Sequence, residues 1–442
     1  MTPEPIAERT RRRVTRRLMP FLFVLYIIAY LDRVNVSYAG LEMTKDLGFS
    51  NAVFGFGAGI FFVGYFLLEI PGTILVELWS ARKWIARIMI SWGILASASG
   101  LITNASQFYW IRFLLGAAEA GFFPGIIVYL THWYRYEDRG KAVAMFMAAI
   151  PISNILGSPL SGLLMKIDWL GLAGWRWLLI LEGIPAVAFG VATLFYLTDW
   201  PKDAKWLPPD ERDWLTRELE EEKRTKRAAK PLRVWQALRQ REVVLLTLVY
   251  FFIVTANYGF NFFIPKIVQK LSGLSTFQVT LVTAIPFLAS LPVMLLVGWH
   301  SDHTGERRWH TALPILAVAV FLTLSQWAAD NVVLAIAMFS IATMGLYSYL
   351  PSFWSLPTTF LSEAAAAACI GLINSVGNLG GFVGPYAVGF LSNRTGSYAA
   401  GVYYLVGSAA LSALLVLLLR RTRRLTASTG ILAANPQPGG RY

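Results

Sequence analysis

Two ionisable side chains interrupt a stretch of the sequence that otherwise carries no charge. In the segment RFLLGAAEAG, Arg112 and Glu119 are seven residues apart. A helix would place them on one face, about 10 Å apart along its axis. Gly116 lies between them near that face, and we expect it to leave room for a ligand. The alternative interpretation is a structural ion pair that holds helices together.

A second pair occurs in the segment AYLDRVNVSYAG, where Asp32 and Arg33 follow fourteen uncharged residues. Asn35 lies one helical turn after Asp32, and Tyr38 extends the polar face. A charged edge at the end of an apolar helix would explain the pair without any chemistry. Such an edge needs no polar stripe, however, so we favour a functional role.

The charges of these four residues suggest what they can do. A carboxyl group caught between an apolar environment and an arginine can change its protonation when water or an anion arrives. An arginine stays charged and can hold a carboxylate through two parallel hydrogen bonds. We therefore expect protonatable acids coupled to an anion-binding pocket.

The composition indicates that a bilayer surrounds the protein. Of the 442 residues, 56% are hydrophobic and 15% are charged, whereas globular domains carry roughly 25% charged residues. The net charge of +13 could suit nucleic acid, but the basic residues lie in short segments between apolar runs. That placement sets membrane topology, so we expect no nucleic-acid partner.

Runs of about 20 mostly apolar residues are long enough to cross the hydrocarbon core as helices. The sequence contains twelve, over residues 18–39, 52–74, 84–104, 107–130, 142–165, 174–197, 243–269, 276–299, 311–328, 331–356, 366–391 and 400–420. It therefore predicts an all-α integral membrane protein with twelve transmembrane helices.

The spans divide into two six-helix halves with a similar basic turn after the second span of each half. We place the N-terminal half at 1–197, a cytoplasmic linker with an amphipathic helix at 198–242, the C-terminal half at 243–420 and a cytoplasmic tail at 421–442. Paired six-helix repeats around a midplane site are typical of secondary transporters.

The positive-inside rule predicts the orientation. With the N-terminus inside, the outer segments hold only six basic residues: Lys45, Lys166, Arg176, Lys266, Lys270 and Arg394. We expect a multi-pass protein of the cell inner (plasma) membrane, with both termini cytoplasmic.

Polar and aromatic residues replace the charges in the second half. Asn257 and Asn261 are four residues apart, as are Asn374 and Asn378, so each pair forms a helical stripe. These asparagines could bind substrate hydroxyls, with Trp354 against an apolar face of the substrate. Polar contacts between helices would explain each pair equally well.

Three more polar residues fall in apolar runs of the first half. Glu69 and Glu182 have no evident basic partner on the same helix face, and we expect structural hydrogen bonds for both. Tyr65, one turn before Glu69, could equally reach the cavity or pack in the core.

Enzyme signatures are missing. The sequence contains no P-loop, GxSxG or Rossmann fingerprint. His300, His303 and Asp302 could mimic part of a metal site, but no fourth ligand is apparent. We expect no enzymatic activity, no metal and no cofactor, so that energy comes from ion gradients.

Several segments resemble the major facilitator superfamily and, within it, the anion:cation symporter family. GWHSDHTGERR is similar to the GxxxDRxGRR turn of the superfamily, and YLDRVNVSYA, GYFLLEIPG, RFLLGAAEAGFFPG and WRWLLILEGIPA resemble the family. The sequence as a whole is similar to those of bacterial tartrate, phthalate-type and sugar-acid permeases. Ile150 stands where many sugar-acid carriers have a glutamine. Tyr65 and Asn378 match pocket-lining positions of the family.

The resemblance also implies roles for the four charged residues. Asp32 and Glu119 match acids implicated in proton coupling, and Arg33 and Arg112 match arginines associated with the anionic substrate. The sequence thus predicts a proton-coupled transporter that imports a small organic carboxylate anion, a tartrate-like dicarboxylate or a sugar acid, by alternating access.

Two rival functions remain open. A proton-driven exporter of drugs or organic cations would favour acids and aromatic residues without arginines. A nontransporting membrane receptor would signal through the linker, which has no recognisable signalling domain. The expected partners are the substrate anion, protons and the lipid bilayer, and we expect a monomer.

Overall fold

The computed structural model describes residues 5–228, 240–328, 330–357 and 363–419. Within these residues the regular elements are helices. The α-helices are α1 (Ile6–Asp46), α2 (Asn51–Leu78), α3 (Ala81–Ala98), α4 (Ala105–Glu119), α5 (Phe122–Thr131), α6 (Tyr136–Met147), α7 (Ala149–Leu164), α8 (Gly174–Tyr196), α9 (Pro209–Ala228), α10 (Arg241–Ser272), α11 (Thr276–Thr304), α12 (Arg308–Trp327), α13 (Val332–Ser348), α14 (Leu350–Ser355), α15 (Glu363–Asn378), α16 (Gly380–Thr395) and α17 (Ala399–Leu417).

The helices confirm the predicted architecture of twelve crossings in two six-helix halves. In the described part of the chain, eleven helical stretches are long and apolar enough to cross a membrane. The remaining crossing, the eleventh in chain order, consists of α15 and α16, which have 16 residues each and are separated at Leu379. The protein is therefore a multi-pass membrane protein.

Several crossings are broken, which the apolar runs did not indicate. The crossing predicted at 107–130 divides into α4 and α5 at Ala120–Gly121. Gly121 has a φ of +83°, a left-handed conformation that glycine adopts without steric cost. Because α4 ends at Glu119, this charged residue lies beside the break.

The first helix begins at Ile6, well before the predicted span at 18–39. Its arginine-rich start packs along α9, a helix within the predicted linker. Arg9 pairs with both Asp210 and Glu211, and Arg13 pairs with Glu211 at 3.0 Å. We call the side of the membrane that carries these ion pairs the basic side.

The exact boundaries of the two halves, the linker and the tail stay a prediction. Residues 229–239 of the linker and 420–442 at the C-terminus lie outside the described residues.

The two halves meet closely on the side opposite the basic side. Lys266 of α10 donates to the Thr44 hydroxyl of α1 at 3.3 Å. The hydroxyls of Ser158 in α7 and Thr283 in α11 lie 3.0 Å apart. Gly389 brings α16 against the backbone of α2. These contacts join three pairs of helices across the molecule.

Two glycines allow α2 and α4 to cross at close range. A Cβ on Gly116 would lie 1.9 Å from the Phe61 carbonyl oxygen, and one on Gly64 would lie 2.2 Å from the Phe113 carbonyl oxygen. The expectation that Gly116 leaves room for a ligand is therefore wrong. The α2 backbone fills that space, and the close approach fixes α4 with its two charged residues.

This packing makes a testable prediction for Gly116→Ala. The added methyl group meets backbone that cannot move aside, so we expect a loss of about 1–3 kcal/mol in the free energy of unfolding. Gly407→Ala is the matched control, because Gly407 in α17 has no neighbour within 4 Å of an added Cβ. Thermal unfolding in detergent compares the two. Equal melting temperatures would contradict the packing account.

Candidate functional site

Asp32 is buried inside the first half, with 2% of its surface exposed. The Trp92 indole nitrogen of α3 donates to Oδ2 of Asp32 at 2.5 Å. The Asn35 amide donates to Oδ1 at 3.1 Å. Each carboxylate oxygen therefore has a donor, as a buried polar group requires.

Arg33 points to a different face of α1 and reaches both halves of the molecule. It forms a close ion pair with Oε1 of Glu119 at the end of α4. Its Nη1 also donates to the Tyr258 hydroxyl of α10 at 3.4 Å. The Glu119 side chain is fully buried, whereas the Arg33 side chain keeps 11% of its surface exposed. Arg33 is thus the more accessible member of the pair.

Arg112 is buried and forms no ion pair with another described residue. Only 2% of its surface is exposed, and its Nε and Nη2 have no hydrogen-bond partner among the described residues. Its guanidinium carbon lies 5.0 Å from the centroid of the Phe61 ring. Glu119 pairs with Arg33 and not with Arg112. For Glu119, the alternative of a structural ion pair that holds helices together is therefore met, because its partner Arg33 lies on α1.

Asp32 and Arg112 line the same small cavity. It measures about 10 Å³, and Asp32, Asn35 and Arg112 contribute to its wall. That volume is about the minimum that one water molecule needs. Asp32 and Arg112 therefore both border a space that could hold one water.

Aromatic rings surround Arg33. Its guanidinium carbon lies 5.1 Å from the Tyr30 ring centroid, 5.5 Å from Tyr65 and 5.6 Å from Phe61. Tyr65 is buried, so it packs in the core and also lies against the cation. Such rings attract a guanidinium and limit where it can move.

The asparagines of α10 join a polar network between the halves. The Asn261 amide donates to Oδ1 of Asn257 at 2.5 Å and to the Tyr347 hydroxyl at 3.3 Å. Asn154 of α7 donates to the same hydroxyl at 3.3 Å. Tyr347 in α13 thus connects the first half to the second. The arrangement shows polar contacts between helices and leaves a substrate role for these asparagines as a prediction.

The asparagines of the eleventh crossing lie in separate surroundings. Asn374 donates to Oε1 of Glu69 at 2.6 Å, which links α15 to α2 across the two halves. Glu69 therefore makes the hydrogen bond that we expected for it. Asn378, half-buried at the end of α15, makes no side-chain hydrogen bond to a described residue.

Trp354, another predicted site residue, also lies away from the charged residues around Arg33. Its ring packs on Tyr250 of α10 at a centroid distance of 4.9 Å. Tyr250 precedes Asn257 by seven residues, which is about 10 Å along a helix. Trp354 thus lies toward the basic side and away from Arg33.

Four residues at this site were missed by the sequence analysis: Trp92, Asn154, Tyr258 and Tyr347. None carries a charge or belongs to a spacing pattern, so no signal singled them out. Glu182 was noted only as structural, and the Ser161 hydroxyl donates to its Oε1 at 3.4 Å.

Three of the four histidines, His300, His303 and His310, lie at the ends of α11 and α12 beside the turn that joins them. Nδ1 of His300 lies 2.6 Å from Nε2 of His310, and Nδ1 of His310 lies 2.9 Å from Oε2 of Glu306. Burial opposes ionisation of Glu306, but hydrogen bonds from the Trp309 and His310 backbone and the His310 ring lower its pKa below the usual value. Among the described residues, no group of three or more His, Cys, Asp or Glu is placed to hold a metal ion.

Twelve crossings around buried charges and polar contacts between two halves define a membrane transporter. Residues 22–385 match the Major Facilitator Superfamily, and the chain belongs to this superfamily. Its members are transporters, so the protein is not an enzyme.

Known proteins share this organisation over nearly their whole length. A protein of Agrobacterium vitis named "Putative tartrate transporter" is 46% identical over 94% of this chain and 95% of its own. The "Quinolone resistance transporter" of Acinetobacter baumannii is 40% identical over 89% and 91%. The crystal structure of a D-xylose-proton symporter covers 91% of this chain and 96% of its own, with a TM-score of 0.71 at 16% identity. The sequence relatives agree with the resemblance to the anion:cation symporter family.

The hydrogen bond between Trp92 and Asp32 generates a prediction for Trp92→Phe. The substitution keeps an aromatic ring but leaves a buried acceptor without its partner, which costs about 1–3 kcal/mol. We expect a lower melting temperature in detergent. Trp110→Phe is the matched control, because Trp110 of α4 is 65% exposed. If both variants melt like the unmodified protein, the bond contributes nothing.

Proposed function

We propose that the protein is a proton-coupled symporter that imports a small organic carboxylate anion by alternating access. The substrate class is a tartrate-like dicarboxylate or a sugar acid. The observation that carries the proposal is the Arg33–Glu119 ion pair, which lies beside Tyr258 where the two halves meet.

The proposed chemistry is an exchange of partners at Arg33. A substrate carboxylate that binds the partly exposed Arg33 replaces the carboxylate of Glu119. Glu119 is fully buried, and an unpaired carboxylate in such a place is costly, so it takes up a proton. Binding of the anion and of the proton therefore favour each other at the same pair.

The charge balance of the site favours this coupling. With both acids ionised, Asp32 and Glu119 balance Arg33 and Arg112. One proton leaves an excess of one positive charge, and one substrate carboxylate removes it. A dicarboxylate such as tartrate therefore needs a second proton for the loaded site to be neutral. An ionised group at the bilayer centre costs at least about 2.5–3.5 kcal/mol, so the neutral loaded site can change its exposure more easily than a charged one.

Arg112 and the polar network provide further groups for the substrate. Arg112 has two buried nitrogens free of hydrogen bonds to described residues, and these could hold a second carboxylate group. Asn257, Asn261 and Tyr347 offer polar atoms from the second half. Contacts from both halves would let substrate binding influence how the halves move.

We place the protein in the cell inner (plasma) membrane with both termini cytoplasmic. The distribution of basic residues supports this orientation. The basic side then faces the cytoplasm. The Agrobacterium relative named for tartrate supports the choice of substrate class.

Uptake by proteoliposomes tests the proposed function. Labelled tartrate should accumulate under an inward proton gradient, and accumulation should stop when an ionophore collapses that gradient. Aromatic acids and sugar acids serve as competitors that rank the substrate class. Uptake that ignores the gradient would overturn the coupling.

Proton-driven export of drugs is the second candidate, because one relative is named for quinolone resistance. It predicts that an outward-directed substrate flux follows the inward proton gradient. Arg33 and Arg112 favour an anionic cargo over a cationic one. Extrusion of a quinolone from the same liposomes, without tartrate uptake, would favour this candidate.

Glu119→Gln separates binding from coupling. The amide resembles a protonated carboxyl group, so we expect tartrate binding to persist and proton-driven accumulation to be lost. Binding is measured by thermal shift and accumulation by liposome uptake. Glu8→Gln, at an exposed position near the start of α1, is the control and should accumulate normally. Normal accumulation by Glu119→Gln would exclude the proposed role of Glu119.

Arg112→Lys tests whether the planar guanidinium of Arg112 binds a substrate carboxylate. A lysine keeps the positive charge but cannot form two parallel hydrogen bonds with a carboxylate. The loss of a charged hydrogen bond, about 1.5–3 kcal/mol, corresponds to roughly a 10- to 100-fold higher half-saturating tartrate concentration. Arg224→Lys on the exposed part of α9 is the control. An unchanged concentration dependence in Arg112→Lys would remove Arg112 from the binding site.

A further inference from the structure

A groove of about 640 Å³ lies where α1 leaves the membrane on the basic side. Five arginines of α1 line it together with one aromatic residue from the end of α8 and one from the segment before α9. The lining residues are Arg9, Arg12, Arg13, Arg16, Arg17, Tyr196 and Trp206. The proposed transport mechanism uses none of them.

The position of Arg17 along the chain indicates where the groove, which we call the arginine groove, lies relative to the bilayer. Arg17 directly precedes the fourteen uncharged residues that begin the first span. The Tyr196 hydroxyl donates to the Arg17 carbonyl oxygen at 2.9 Å, so the end of α8 lies at the same level. Tyrosine and tryptophan collect at the headgroup region of a bilayer. The arginine groove therefore lies level with lipid headgroups.

The acidic residues of α9 neutralise only part of the arginine groove. Arg9 and Arg13 share Glu211, and Arg9 also pairs with Asp210. Arg16 is exposed and has no acidic partner among the described residues. An excess of positive charge thus stays at the membrane end of the groove.

Arg17 lies against two aromatic rings, and no carboxylate of a described residue pairs with it. Its guanidinium carbon lies 4.6 Å from the Tyr196 ring centroid and 5.0 Å from the Trp206 ring centroid. Its Nε is buried without a hydrogen-bond partner among the described residues. A guanidinium held in this way, with N–H groups that have no partner among the described residues, can donate two parallel hydrogen bonds to a phosphate.

We propose that the arginine groove binds the phosphodiester headgroup of an anionic phospholipid, with Arg16 and Arg17 donating to the phosphate oxygens. Basic pockets beside membrane helices recognise such headgroups. A soluble phosphate offers the same oxygens but has no acyl chains to hold it at this depth. The lipid would tie the start of α1 to Trp206 and to the end of α8.

Thermal unfolding in lipid nanodiscs tests the proposal without reference to transport. The full-length protein is placed in discs of phosphatidylcholine alone or with added phosphatidylglycerol. A ligand that binds the folded state raises its melting temperature. We expect phosphatidylglycerol to raise the melting temperature, and Arg16→Gln/Arg17→Gln to lose at least half of that shift. No shift in the unmodified protein would overturn the proposal.

Matched variants separate a shaped site from surface charge. Lys83→Gln/Lys141→Gln removes two exposed positive charges outside the arginine groove and should keep the shift. Arg16→Lys/Arg17→Lys keeps the charge, removes the planar guanidinium and should reduce the shift. If Lys83→Gln/Lys141→Gln loses as much of the melting-temperature shift as Arg16→Gln/Arg17→Gln, the lipid responds only to general surface charge and the proposal fails.

One further variant and one further ligand addition complete the test. Arg16→Gln alone changes an exposed side chain, so it should fold normally and lose part of the shift even if the double variant unfolds. Inorganic phosphate or glycerophosphate added to phosphatidylcholine discs should not reproduce the shift. A full shift from either soluble anion would assign the groove to a soluble phosphate and overturn the lipid assignment.

Discussion

A charge enclosed by membrane helices needs a counter-charge or a proton, and this requirement organises the first half of the molecule. Arg33 pairs with Glu119, and Asp32 receives hydrogen bonds from Trp92 and Asn35. Gly116 allows backbone contact between α4 and α2, and this contact fixes the position of α4 with Arg112 and Glu119. The close packing thus serves the charges by holding them within reach of one another.

The same requirement suggests why a transporter would move a proton and an anion together. The two acids and the two arginines balance when all are ionised, and one proton for each substrate carboxylate preserves that balance. Arg33 contacts Tyr258 of the second half, and Glu69 contacts Asn374. A change in the pairing of Arg33 would therefore affect a residue that makes one of the contacts between the halves. This links local electrostatics to the proposed alternation of access.

The sequence predicted the twelve crossings and the neighbourhood of the four charges, because long apolar runs and isolated charges are strong one-dimensional signals. It did not predict the break at Gly121, since an apolar run continues through the break without interruption. It placed Arg112 and Glu119 on one helix face, but it did not predict that Arg33 from α1 pairs with Glu119. Trp92 and Tyr258 carry no charge, and only the three-dimensional packing brings them to the site. Trp354 was assigned to the pocket by chemical type, but its helix places it beside Tyr250.

The central claim is that tartrate and a proton bind to one coupled group of charges. Calorimetric titration of the purified protein with tartrate, in buffers of different ionisation enthalpy, measures the protons exchanged on binding. The account predicts an observed enthalpy that rises with the enthalpy of buffer ionisation, which shows proton uptake by the unmodified protein. Tartrate binding with the same enthalpy in every buffer would show no proton exchange and would contradict the account.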